Sequence, residues 1–383
     1  MDEFADETQI LSAIRERPQS MLSVDQPRHE PAFDRAGGDH RTLLDLARER
    51  LENMKERGKL RRWDDVVAVY EIAGPDGRQL GATVMLPTDA VWDAEANPEG
   101  WIIPSERVFP DKLSNCATQL LALGHFVSSV LLLTSDADGS YLRLLEEAIR
   151  GQPPHAEDID RRGNRHRVWP LIPCGLQKRL LARLSDGELV VADGNHRCTA
   201  ARQSRLSDFL GLVIAAQSMQ ILPYNRLVTS LGMHQQAFIE RLWDAGFHAS
   251  GHSDPLAVPV QPGRLALRLP GRSLHLTRPV APTSDPISRL DQWVVESVVL
   301  KQTLGMDPGD PRIRYVGGDC DLHQLQAQVD RGDGACAIVL APISVADFMN
   351  LNRRRLRLPA KSTWFRPKPR SGLVVAEAAA GQD

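Results

Sequence analysis

Between residues 41 and 56, Leu43, Leu44, Leu46, Ala47, Leu51 and Met54 recur at the spacing of one helix face, and Gly58 supplies a stop. The next stretch, VVAVYEIAGPDGRQLGATVML, predicts two strands joined by a Pro-Asp-Gly turn. After IIPSERVFP the pattern is mainly helical to about residue 150, interrupted by the strand-like VSSVLLLT. A strand pair is predicted around RRGNRHRVWPLI, a buried strand at GELVVAD and a helix at CTAARQSRLSDFLG. Beyond about residue 237 a hairpin, GRLALRLPGRSLHLT, precedes an alternation: helix DQWVVESVVLKQTLG, strand IRYVGG, helix DLHQLQAQVDRG, strand ACAIVLAP and helix VADFMNL.

This pattern divides the chain into a polar, proline-bearing segment over 1–40 that is expected to be partly mobile, a core over 41–236, and a second α/β lobe over 237–383. A length of 383 residues suits two lobes. The net charge of -3 argues against bulk electrostatic binding to nucleic acid or acidic membrane. Five cysteines without a CxxC pair suit a reducing compartment. The acidic start MDEFADETQI lacks an apolar core, and no apolar run approaches the roughly 20 residues that cross a bilayer, so a cytoplasmic protein with no membrane partner is expected.

Chemistry concentrates in LVVADGNHRCTAARQSRL, residues 189–206. A buried strand that ends in Asp-Gly and turns into a helix aims the free N–H groups of the first helical turn at whatever lies beyond the strand's carboxyl end, which makes an anion site. Gly194 admits a positive φ, and Asn195 tolerates the left-handed region. His196 and Arg197 at a helix start oppose the macrodipole by roughly 0.3 to 1 kcal/mol per charge, and a bound phosphate reverses that. Asp193 either caps the helix or holds Mg2+ against phosphate oxygens. The plainer alternative makes Asp193 an ordinary cap and puts His196 and Arg197 on a solvated face. Neither GxxxxGK[ST] nor GxGxxG occurs.

Three separated motifs carry a resemblance: DGNHR at 193–197, LPYNR at 222–226 and LPAKSTWFRPKPRSGLVV at 358–375, with smaller matches at GNRHRVW, 163–169, and IRYVGG, 313–318. In this order they resemble the family catalogued as domain of unknown function 1015, over about residues 60–375. That family is similar in its central part to the ParB and sulfiredoxin superfamily. The resemblance therefore implies an α+β fold, a ParB/sulfiredoxin-like mixed α/β core with a second α/β lobe.

The resemblance also implies chemistry. In the superfamily a Gly-x-[His/Arg]-Arg turn grips nucleotide phosphates, and Gly194, Asn195, His196 and Arg197 match it. The functional relatives with a DGxHR turn are free-serine kinases, which transfer a phosphoryl group to the hydroxyl of L-serine. On that reading ATP or ADP and Mg2+ are the cofactors and a serine-like amino acid is the substrate. Glu106, in IIPSERVFP, matches the Pro-x-Glu that carries the catalytic carboxylate, and its job is to accept the hydroxyl proton. From the residues alone, the plainer reading of Glu106 as a surface residue paired with Arg107 or Lys112 is the favoured one, and only the resemblance makes the catalytic reading its equal.

Asp193 and His196 join Glu106 as catalytic candidates, with Asp193 also the metal candidate. Arg226, Lys361, Ser362 and Thr363 are further candidate anion ligands, the last three within a run from Asn352 to Arg370 that has no acidic residue. Ser105, Asn195 and Asn225 stand where the family usually has His. Those departures leave a second class open: a nucleotide-binding regulatory or interaction protein that keeps the turn and has lost catalysis.

Overall fold

The computed structural model describes residues 7–29, 40–75, 77–249, 262–279 and 285–381. The chain forms two compact units, Met1–Met219 with Pro367–Asp383, and Gln220–Arg366. This division differs from lobes of 41–236 and 237–383. The second unit begins at Gln220 because β10 (Gln220–Leu222) and β11 (Tyr224–Val228) pair with strands of that unit, and the chain returns to the first unit at Pro367. Residues 7–29, part of the segment expected to be mobile, form helices at Glu7–Glu16 and Leu22–Asp25 that bury Ile14 and Val24. Residues 30–39, and Asp76 of the Pro-Asp-Gly turn, lie outside the described residues.

The fold is mixed α/β. In the first unit, strands β1 (Val67–Gly74), β2 (Gly77–Pro87), β3 (Ile102–Pro104), β5 (Val130–Thr134), β6 (Ala156–Ile159), β7 (Arg165–Leu171), β8 (Leu189–Asp193) and β9 (Asp208–Ala215) make one sheet in the order β3-β8-β5-β9-β2-β1-β7-β6. A two-residue strand, β4 (His125–Phe126), lies outside it and pairs with Ala376–Glu377 near the end of the chain. In the large sheet, β3 and β8 run parallel, as do β5 and β9, and the other neighbours are antiparallel. Every residue of β5 and the first four of β8 are buried, so these central strands are continuous apolar runs with both faces covered.

The helix predicted across CTAARQSRLSDFLG ends sooner, at Gln203. Arg205 takes φ 54°, which breaks the helical path, and Asp208 starts β9, whose apolar run pairs with both β2 and β5. Strand pairing in the middle of the sheet overrides the local helical pattern there.

In the second unit β11, β12 (His248–Ala249), β13 (Arg264–Leu269), β14 (Arg272–Thr277), β15 (Ile313–Gly317) and β16 (Cys336–Leu340) form an antiparallel sheet ordered β12-β14-β13-β16-β11-β15. β17 (Trp364–Arg366) pairs with β10. The helix predicted at 291–305 starts as an α-helix at Asp291–Val294 and continues as a π-helix over Val295–Thr303. Its first residue is a buried acid: burial pushes the Asp291 carboxyl up to about 6, opposed by a 2.8 Å hydrogen bond that Gly263 N donates to Oδ1.

A folded-state value above the ordinary 3.8 means that the folded protein holds this proton more tightly than the unfolded chain. The stabilising contribution is complete below about pH 4 and is lost as pH rises through about 6. Asp291→Asn keeps an acceptor for Gly263 and cannot ionise. Its melting temperature relative to the native chain is expected to climb between about pH 4 and 7 and then level off. A difference that stays constant across that range contradicts the assignment.

Candidate functional site

β8 ends at Asp193, Gly194 turns the chain with φ 91°, and the helix Asn195–Gln203 starts at once. Gly194, not Asn195, takes the left-handed conformation, which glycine adopts without steric cost. A Cβ at Gly194 would lie 2.9 Å from both Nε and Nη2 of Arg197, so the missing side chain also leaves room for that guanidinium. The helix therefore opens with its first N–H groups unsatisfied within the helix, directly beyond the strand.

The next three residues have distinct jobs. The buried Asn195 side chain ties the helix to the segment after β3: its Oδ1 accepts from Ser105 N at 2.9 Å and Glu106 N at 3.4 Å, and its Nδ2 donates to Ser105 Oγ at 3.2 Å. His196 Nε2 accepts from Phe109 N at 3.0 Å, which requires a neutral imidazole with its proton on Nδ1. Its ring stacks on Phe109, centroids 6.2 Å apart, and Lys112 Nζ lies 5.4 Å from the centroid of the same phenyl ring. Arg197 Nη2 lies 2.9 Å from Asp193 Oδ2, and Lys368 Nζ lies 3.0 Å from Asp193 Oδ1. One carboxylate thus gathers two cations.

That arrangement answers the electrostatic question raised by the sequence. Neutrality of His196 removes one unfavourable charge from the helix start, and Asp193 offsets the other. Asp193 acts as an ion-pair partner here, and the N-cap position itself is Gly194, which has no side chain to cap the helix. Glu106 is half-buried, and its backbone is held at the turn through Asn195.

Asp193, Gly194, Asn195, His196, Arg197 and Glu106 all belong to the first unit. Arg226, Lys361, Ser362 and Thr363 belong to the second. Arg226 is fully buried, donating through Nε to Glu296 Oε1 at 2.8 Å, through Nη1 to Tyr224 O at 2.6 Å and through Nη2 to Lys361 O at 3.1 Å. Lys361 has φ 61°, and Ser362 Oγ donates to Pro359 O at 2.7 Å. In the second unit these residues therefore knit LPYNR and KSTWF together. Asn225, also buried there, accepts from Leu340 N through Oδ1 at 3.3 Å.

Residues 3–293 match the family described as Protein of unknown function (DUF1015). The chain belongs to this family. DGNHR and LPYNR fall inside the matched residues, and the KSTWF segment lies beyond them. No curated protein matches the chain. Among solved structures it is similar to a free serine kinase in complex with AMP, at 11% identity and TM-score 0.43, over 74% of this chain and 86% of that one. It is also similar to SbnI with a C-terminal truncation from Staphylococcus aureus, at 11% identity and TM-score 0.44, over 76% and 85% of the two chains. A conserved hypothetical protein from Pyrococcus furiosus matches at 12% identity and TM-score 0.42, over 75% and 91%. No helix among the described residues is long and apolar enough to cross a membrane.

In this family member the turn offers backbone N–H groups, a neutral imidazole and two cations around one acid, a donor set suited to an oxyanion. Among the described residues no group of three or more His, Cys, Asp or Glu could hold a metal ion. A metal at Asp193 needs Arg197 and Lys368 to release its oxygens. In the sequence Lys368 is only one cation among several in the basic run from Asn352 to Arg370, and nothing in it marks Phe109. The flanking Pro367 and Pro369 are the signal for Lys368, since two fixed φ angles present the lysine on an extended path. Asn195→Ala strands the buried N–H of Ser105, and a cost of about 1 to 3 kcal/mol is expected. Equilibrium unfolding in denaturant measures it, and a variant as stable as the native chain contradicts the clamp.

Proposed function

We propose that the chain is a nucleotide-dependent phosphotransferase that acts on the hydroxyl of free L-serine or a similar small hydroxy amino acid, with ATP or ADP as donor. The observation that carries this reading is the junction at 193–197, where free helical N–H groups meet Arg197 and Lys368 while Asn195 tethers the backbone of Glu106. The resemblance of DGNHR to the DGxHR turn of free-serine kinases supports the choice of acceptor.

Phosphoryl transfer asks a protein mostly for positioning and charge stabilisation. The N–H groups of the first helical turn, Arg197 and the Nδ1–H of His196 bind and neutralise the terminal phosphates. Glu106 accepts the proton of the substrate hydroxyl as its oxygen forms the new bond to phosphorus. The bond from that phosphorus to the nucleotide's bridging oxygen breaks, and the nucleotide leaves one phosphoryl group shorter. Asp193 is the residue that would hold Mg2+ once Arg197 and Lys368 leave its oxygens, and the ion would supply charge neutralisation.

A second reading, a nucleotide-binding regulatory or interaction protein without catalysis, is favoured by the engagement of both Asp193 oxygens with cations. Incubation with ATP or ADP, Mg2+ and a panel of hydroxy amino acids separates the two. Phosphoserine formation is expected, falling by about a hundredfold or more in Glu106→Gln. Arg197→Ala is expected to weaken nucleotide binding by about 1.5 to 3 kcal/mol, read by calorimetry. Tight binding without product from any donor and acceptor favours the second reading, and no nucleotide binding at all rejects both.

A further inference from the structure

We infer that Lys368 is a ligand of the same anion as Arg197, delivered to the turn by residues 367–376 acting as a fixed strap. This inference rests on the phosphate-binding reading of the turn. Lys368 Nζ and Arg197 Nη2 each contact a different oxygen of the Asp193 carboxylate, at 3.0 and 2.9 Å. Two cations that converge on one carboxylate hold it as they would hold two oxygens of a phosphate, which carries more charge and draws both cations more strongly. Asp193 therefore stands in for the phosphate until one arrives.

The strap is fixed far more firmly than an ion pair at a partly exposed site requires. Two residues beyond Lys368, Arg370 N donates to the hydroxyl of the buried Tyr70 at 3.0 Å, and the Arg370 guanidinium pairs with Asp158 at 2.9 Å. Ser371 Oγ lies 3.0 Å from Asp25 Oδ2 and 2.6 Å from Ser128 Oγ. Gly372 takes φ 81°, donates to Val127 O at 2.7 Å, and sits so close to the Met21 side chain that a Cβ would collide with it. Beyond these anchors Ala376–Glu377 adds to the edge of β4. A single ion pair that solvent still reaches contributes little to stability, so it does not account for such a scaffold. A cation that must be ready at a ligand site does, because the ordering entropy is spent on folding instead of on binding.

The test is calorimetric titration of inorganic pyrophosphate, without metal, into the full chain and into Lys368→Met, Lys368→Arg, Arg197→Ala, Asp193→Asn and the double variant Asp193→Asn with Lys368→Met. Lys368→Met is expected to weaken pyrophosphate by about tenfold or more, with Lys368→Arg closer to the native chain. Asp193→Asn is expected to tighten it by releasing both cations, and Lys368→Met is expected to weaken it again in that background, because the contact is direct. Melting temperatures of the unliganded variants report whether each one folds. If Arg197→Ala loses affinity and Lys368→Met does not, Lys368 is not a ligand and the reading of the turn survives. An effect of Lys368→Met that vanishes in the Asp193→Asn background also overturns the inference, since Lys368 then only neutralises Asp193. Absence of pyrophosphate and nucleotide binding in the native chain overturns both.

Discussion

One carboxylate held between two cations organises the first unit's candidate site. Asp193 sits at the end of a strand buried on both faces, so its position is set by the sheet. Arg197 reaches it from the following helical turn, and Lys368 reaches it from 175 residues away in sequence. The exchange is electrostatic. Held this way, the helix start tolerates a cation that would otherwise oppose its dipole, and the return of the chain at Pro367 acquires a fixed end point. On the proposed function, an external anion binding here competes with the internal one.

Two positions that the sequence resemblance sets against His, Ser105 and Asn195, meet in the site, and their side chains bond to each other: Asn195 Nδ2 donates to Ser105 Oγ at 3.2 Å. Both side chains are buried, so neither could change in size or polarity without affecting the other. Together they keep the segment holding Glu106 against the helix start. Asn225, the third such position, lies in the second unit and bonds the backbone of β16, so its role there is in the sheet.

Much of the local architecture was legible in the chain. The apolar run ending in Asp-Gly identified β8 and the helix start, because a buried strand and a glycine turn are both local properties. The end of that helix was not legible: the sequence pattern runs on through Leu210, but pairing of β9 with β2 and β5 is a nonlocal constraint that claims those residues as strand. The partners of the cations were hidden for the same reason. Lys361, Ser362 and Thr363 stood out as neighbours in a basic run, whereas the chain leaves the second unit only after Arg366 and the lysine that meets Asp193 is Lys368. Arg226 looked like an anion ligand and finds Glu296, whose position in a π-helix no periodicity announced.

The most direct test of this account is a crystal structure with ADP bound. The account predicts that the terminal phosphate lies within hydrogen-bonding distance of the backbone N–H groups at the start of Asn195–Gln203, with Arg197 turned from Asp193 onto its oxygens. A nucleotide bound elsewhere in the chain, with the Asp193 ion pairs unchanged, would contradict it.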